Sequence, residues 1–172
     1  MAGPHTPGLM PALVEWLEAE NIEYEVHEHQ LSFTATGTAL VEGVDPHSFA
    51  KVVWVRSDEG GDALMVLDAM DHLDLKKAAK ALNSSHVKLI PEDELERAAP
   101  GCAVGAMPAV GRLFDVPTFA DHAVAKEAEI SFNAGSHEVS VRVDRNAWER
   151  STGVTYRDLA AHPWREPAWV RS

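Results

Sequence analysis

With a single cysteine, Cys102, the chain can form no internal disulfide framework. That usage is compatible with a reducing compartment. No stretch approaches the roughly 20 apolar residues needed to cross a bilayer. The segment from Met1 to Pro11 has no Lys or Arg and carries Gly3, Pro4, Pro7, Gly8 and Pro11. It lacks the basic and the apolar parts of a signal peptide, so the expected location is the cytoplasm. Positive charge is scarce as well: 15 Lys and Arg stand against 27 Asp and Glu, a net charge of −12. No basic run is longer than Lys76-Lys77. Polyanion binding normally shows as a basic patch, so any contact with nucleic acid is expected to be small, local and weak. Charge alone favours a small-molecule enzyme. Several signatures are missing too: there is no phosphate-binding glycine loop, no Gly-x-Gly-x-x-Gly, no His-Glu-x-x-His and no Gly-x-Ser-x-Gly elbow.

What is present suits one folded domain. The chain has 172 residues, 45% of them hydrophobic, with five Trp and five Phe, enough to bury a core without metal or disulfide staples. Leu9, Leu13, Trp16 and Leu17 recur at helical spacing over Leu9–Glu20. Strands are expected over Tyr24–His29, Phe49–Arg56, Ala63–Leu67, Val87–Ile90, Val116–Phe119, Glu129–Asn133 and Glu138–Val143. Helices are expected over Thr34–Val41 and Leu73–Leu82, after Pro91, from Asp121, and over Arg145–Arg150 behind an Asp144 cap. Ala134-Gly135-Ser136 reads as a turn, Pro100–Gly111 as a loop and Trp164–Ser172 as a surface tail. Adjacent strands mixed with intervening helices predict an α/β or α+β class with a mixed sheet.

Lys51 is the most informative residue. Alternation puts Phe49, Lys51, Val53 and Val55 on one face of a strand and Ala50, Val52 and Trp54 on the other, and neither face reads as solvent. A lysine there either snorkels to water at the strand's start or lines a pocket and holds a carbonyl, phosphate or ribose oxygen. The small residues of Gly101–Gly111 make either an ordinary connection or a loop whose N–H groups approach a ligand closely. His27 and His29 share a strand face and could ligate a metal with Glu25, but nothing completes the set. Cys102 lacks a visible base, and Ser131, Ser136 and His137 form no recognisable triad.

In order along the chain come His27-Glu28-His29, Thr34-Ala35, Ala50-Lys51-Val52-Val53, Leu73-Asp74-Leu75, Gly105-Ala106-Met107-Pro108 and Phe132-Asn133-Ala134-Gly135. This succession resembles the YbaK / prolyl-tRNA synthetase-associated editing domain family. It extends from about Leu9 to about Ala160, which predicts one domain over 9–160 with tails at 1–8 and 161–172. The resemblance implies a compact α/β domain with a mixed, barrel-like central sheet surrounded by helices. It implies an aminoacyl-tRNA deacylase that cleaves the ester between a wrong amino acid and the 3′-terminal adenosine. Lys51 would be the pocket lysine, and Gly105, Ala106, Met107 and Pro108 the loop against the scissile carbonyl. His29, Thr34, Asn133, Ala134, Gly135 and His137 would lie on the substrate side. Better-studied members carry Gly-x-x-x-Pro, whereas position 104 here is Val and the glycine is Gly105; this resembles a branch with Gly-Ala-x-Pro. No metal and no cofactor is implied. The expected partners are the aminoacyl-tRNA acceptor end and a synthetase, with no membrane.

In such a site, Lys51 and the loop N–H groups orient the ester while water attacks and a ribose hydroxyl or substrate side chain assists proton transfer. The small-residue loop suggests alanine, serine, threonine or cysteine as the amino acid. Two rivals stand beside this reading: a non-catalytic module that binds an aminoacyl-adenosine or a synthetase, and a small-molecule or metal-dependent hydrolase.

Overall fold

A computed structural model describes residues 6–29, 37, 48–59 and 61–161. Helix α1 (Pro11–Ala19) turns Leu13, Val14 and Leu17 inward, and its first turn accepts Pro11 because no N–H is needed there. Strand β1 (Tyr24–Glu28) follows. The β-branched run then forms β2 (Ala50–Ser57), which turns back as β3 (Asp62–Asp68). The hairpin is tied at its turn by Trp54 Nε1 and Arg56, which both donate to Asp62. Next come the short β4 (His72–Leu73) and helix α2 (Leu75–Ala81). The helix begins two residues later than the sequence predicts: Leu73 joins β4, and Asp74 caps α2 by accepting from Lys76 N and Lys77 N.

Strand β5 (Val87–Leu89) and helix α3 (Glu92–Ala98) lead to a long loop, closed by a 3-10 turn at Gly111–Phe114. Strand β6 (Thr118–Asp121) runs into a second 3-10 turn capped by Asp121. Strands β7 (Glu129–Ser136) and β8 (Val139–Asp144) form a hairpin, and Asp144 caps helix α4 (Arg145–Thr152) as expected. Two short strands absent from the sequence reading, β9 (Thr155–Arg157) and β10 (Ala160–Ala161), end the described chain. The helix expected over Thr34–Val41, apart from Gly37, and the tail Trp164–Ser172 lie outside the described residues.

The strands make an antiparallel sheet β1-β8-β7, a mixed sheet β5-β2-β3-β6-β9 and a pair β10-β4. The class is therefore mixed α/β as expected, but among the described residues the sheets stay open and no barrel closes. The two larger sheets meet at one parallel bridge, Phe49 with Ser131. Beyond it β7 cannot continue pairing with β2, because Gly135 spends its backbone on the long loop: Gly135 N donates to Ala106 O at 3.0 Å and Ala103 N donates to Gly135 O at 2.8 Å. The predicted turn at Ala134-Gly135-Ser136 is corrected for the same reason. Strand β7 runs on to Ser136 through a bulge, and the chain reverses at His137-Glu138.

The core lies on both sides of β2–β3. On one side α1, Ala50, Val66, Val110, Phe132, Val141 and Trp148 pack together. On the other, Val55, Met65 and Leu67 are covered by Ala78 and Ala79 of α2 and by Leu159.

Candidate active site

The single bridge between the sheets fixes which side chains meet. Paired residues on neighbouring strands share a face, so Phe49 and Ser131 point the same way. Two residues on, Lys51 and Asn133 project from that same side, on strands that are now parting. Between Ala50 and Val53 the edge of β2 away from β3 pairs with no described strand, since β5 joins only at Val55–Ser57. Lys51 thus stands at the open end of β2, opposite Leu67. It is half-buried and makes no hydrogen bond or ion pair with a described residue. Burial lowers its pKa below the ordinary lysine value, while Asp71 pushes it back up.

The same side of β1-β8-β7 is a polar wall. One row across the three strands is His27, Ser140 and Asn133; the next is Glu25, Arg142 and Ser131. Arg142 Nε donates to Ser131 Oγ at 3.3 Å, and His27 Nε2 lies 3.2 Å from Glu25 Oε2. Ser131, Asn133 and Ser140 are 1%, 8% and 0% exposed, so the wall is buried at β7 and at Ser140 and opens to solvent toward Glu25 on β1. Asn133 Oδ1 is buried with no hydrogen-bond partner among the described residues. A buried acceptor left without a donor costs about 1–3 kcal/mol, which makes the position a candidate for contact with a ligand.

The loop from Pro100 to Val110 packs against the Ala50–Trp54 face of β2–β3: Met107 lies with Trp54 and Leu64, and Ala109 and Val110 with Ala50 and Val66. Ala106 closes on itself through Ala106 N to Ala103 O at 3.0 Å, and both ends of that turn are strapped to Gly135. Gly105 has φ +81° and Gly135 φ +105°, conformations that favour glycine. The requirement falls at position 105 and not at 104, which accounts for Val104 preceding the glycine. A side chain at 135 would also meet Met10 Cβ at 2.8 Å. His137, buried in the turn after β7, bonds through Nε2 to Val104 O at 2.7 Å. The carbonyl can only accept, so Nε2 carries the proton. Gly105 is exposed, and its N–H enters no hydrogen bond among the described residues. Ala106, Met107 and Pro108 are buried, and Trp148 Nε1 donates to Ala109 O at 2.7 Å, which fixes the loop's exit.

Of the residues singled out in the sequence, the fold ties Gly135 to the loop through Ala103 and Ala106, and puts Lys51 and Asn133 on one side of their two sheets, each two residues past the Phe49–Ser131 bridge. His137 touches the loop and holds it. Ala134 belongs to the opposite face, where its side chain is core and its carbonyl accepts from Met10 N at 2.8 Å. His29 extends the polar side of β1, its N–H donating to Glu138 O at 2.9 Å. Thr34 lies outside the described residues. Cys102 sits against Met10, Sγ to Sδ 3.4 Å, and burial pushes its thiol up to about 11, so it is protonated at neutral pH. Among the described residues no group of three His, Cys, Asp or Glu side chains is arranged to hold a metal ion. Ser140 escaped the sequence reading, although the alternation Val139-Ser140-Val141-Arg142-Val143 signals a strand with one polar face; Ser131, weighed there for a triad, stands here beside Arg142 instead.

A partly buried polar wall, a half-buried lysine and a glycine whose N–H has no partner among the described residues are the groups this region offers a ligand. Solved structures share the fold. One described as "a putative trans-editing enzyme for prolyl tRNA synthetase" aligns with a TM-score of 0.77 at 19% identity, covering 91% of this chain and 98% of its own. Another, described as hypothetical protein APE2540, aligns with a TM-score of 0.78 at 18% identity, covering 87% of this chain and 99% of its own. Residues 29–150, which contain Lys51, the loop and Asn133, match the family model described as the aminoacyl-tRNA editing domain. On that match across most of its length, this chain belongs to the aminoacyl-tRNA editing domain family.

Proposed function

We propose that this editing domain is a deacylase acting in trans on mischarged tRNA. It hydrolyses the ester that joins a small amino acid to the 3′-terminal adenosine. The observation that supports it best is the shared side of Lys51 and Asn133 past the Phe49–Ser131 bridge, with the Ala103–Ala106 turn strapped to Gly135 on the same strand. Water adds to the ester carbonyl, and the developing oxyanion is met by the Lys51 ammonium and the Gly105 N–H. The carbon–oxygen bond to the ribose then breaks, and the water's proton passes to the leaving ribose oxygen. The neighbouring ribose hydroxyl relays that proton, and free amino acid and tRNA are released. Asn133 Oδ1 is an acceptor for the substrate's α-ammonium group.

The reading needs no protein nucleophile, in keeping with the protonated state of Cys102. Ala106 and the buried Met107 and Pro108 give the loop little room to yield, which favours alanine, serine, threonine or cysteine over larger residues. A methylene that does not fit is worth about 1–3 kcal/mol of discrimination.

The test is a deacylation panel on tRNAs charged with small and large amino acids, run with and without chelator and with and without a cognate synthetase. Turnover that survives chelator, prefers small amino acids and falls about 10²–10³-fold in Lys51→Ala is expected. Wild-type rates in Lys51→Ala would remove that residue from the mechanism. Absence of turnover on every charged tRNA would leave a binding module.

A further inference from the structure

Away from this junction, a cavity of about 440 Å³ opens between α2 and the end of β9, lined by Lys77, Lys80, Ala81, Arg157 and Asp158. Its size suits a small polar ligand or one sugar-phosphate unit. Three cationic side chains face one carboxylate there, in a chain whose net charge is −12. The carboxylate is already engaged: Lys77 Nζ donates to Asp158 at 3.0 Å and to Ala160 O at 2.8 Å. Lys80 and Arg157 are exposed and have no carboxylate partner among the described residues. Arg157 Nη1 donates to the carbonyl of Tyr156 at 2.8 Å, which orients the guanidinium and leaves its other N–H groups for a ligand.

The walls of the cavity are rigid. Asp121 accepts from Leu159 N and Ala160 N at 2.8 and 2.9 Å, which pins the segment after Arg157. Helix α2 is packed through Ala78 and Ala79. The dipole of α2 accounts in part for Lys80 in its last turn, but Arg157 ends a strand and has no such reason to be there. Helix α2 also covers the side of β2–β3 on which Lys51 stands.

We infer that this cavity is a subsite for backbone phosphate of the substrate RNA, separate from the deacylation site; the inference rests on the reading of an aminoacylated RNA as substrate. Lys80 and Arg157 supply the charge, and the planar guanidinium supplies the fork that suits phosphate oxygens. Contacts of this kind position the RNA without reading its sequence.

The experiment uses the double variant Lys80→Gln/Arg157→Gln, which spares Lys77 because that residue ties α2 to Ala160. KM is measured for an aminoacyl-tRNA and for the phosphate-free aminoacyl-adenosine. KM for the tRNA is expected to rise about tenfold, and the slope of log KM against log salt to fall by about 1–2. The constants for aminoacyl-adenosine stay as in the wild type. An unchanged tRNA KM and slope, or equal losses on both substrates, overturns the inference. Binding of uncharged tRNA by fluorescence anisotropy reads the same subsite without turnover. A wild type that binds tRNA, loses that binding in the double variant and deacylates nothing would sink the deacylase reading and keep the subsite. Inorganic phosphate and AMP form the last arm. If they bind tightly, lose binding in the double variant, and tRNA affinity does not move, the cavity serves a free phosphate compound and the inference fails.

Discussion

Asn133 offers the sharpest separation of a functional residue from a structural one. The residue is 8% exposed and its Oδ1 has no hydrogen-bond partner among the described residues. The folded state therefore carries an unsatisfied acceptor, at about 1–3 kcal/mol. Leucine has nearly the same shape and no polar atoms, so Asn133→Leu removes that cost and adds apolar burial. The neighbours Ser131 and Ser140 share its face, which tempers the apolar gain. A net stabilisation of about 1–2 kcal/mol is expected, or a rise in Tm of about 2–8 °C for a domain of this size. Activity moves the other way. With no acceptor for the substrate's ammonium group, kcat/KM on a mischarged tRNA falls about tenfold to a thousandfold. Thermal unfolding followed by circular dichroism and a deacylation time course measure the two effects on one sample. A variant that unfolds earlier than wild type while keeping full activity would show that Asn133 is a structural amide and that the reasoning is wrong.

Other perturbations probe the supports of the junction. Gly135→Ala forces a side chain onto φ +105° and against Met10 Cβ at 2.8 Å, so a loss of about 2–4 kcal/mol is expected in urea unfolding. Trp148→Phe leaves Ala109 O without its donor. About 2–4 kcal/mol of stability should go, and deacylation should weaken with it as the loop loosens, both read in one thermal and kinetic series. Asp121 accepts from Ala123, Leu159 and Ala160 N–H groups. Burial raises its pKa, but these three bonds outweigh burial, and the carboxyl lies below its ordinary 3.8 in the folded state. The native form therefore binds this proton less readily than the unfolded chain does. Its contribution is whole above pH 3.8 and is lost as pH falls through the folded-state value. Asp121→Ala should flatten that acid limb of the stability curve, and an unchanged limb would assign it to other carboxylates.

The main elements were legible because their signals are local. Phe49–Arg56 is β-branched and aromatic, and Asp144 stands one residue before an α-helix whose third residue donates to it. What escaped depends on partners far along the chain. Ala134-Gly135-Ser136 has the composition of a turn, and partners elsewhere hold it as strand: Met10 at Ala134, the Ala103–Ala106 loop at Gly135 and Val139 at Ser136. Strands β9 and β10 are three and two residues long, too short for a periodicity to declare itself. Lys51 stood out as a cation among apolar strand residues. That it shares a side with Asn133 did not, since this rests on one bridge between Phe49 and Ser131. The same bridge bears on the architecture: with one paired residue between the two larger sheets, they stay open among the described residues.

Acidity bears directly on how such a domain meets RNA. Many of its cations are spent internally: Arg56 on Asp62 and Glu94, Arg145 on Glu149, Lys77 on Asp158. The surplus negative charge repels a polyanion at long range, but at physiological ionic strength this repulsion is screened beyond about 8 Å. Contact charges then decide affinity, and two cations at one cavity release few counterions. A protein with 6–10 phosphate contacts loses about 10³–10⁵ in affinity between about 50 and 200 mM salt. With two contacts the same change should cost this domain about tenfold, and less where screening of the repulsion offsets it. Binding isotherms for uncharged tRNA across that range make the measurement. A thousandfold loss would require an extended cationic surface, which a chain with 15 basic and 27 acidic residues has not been built to supply.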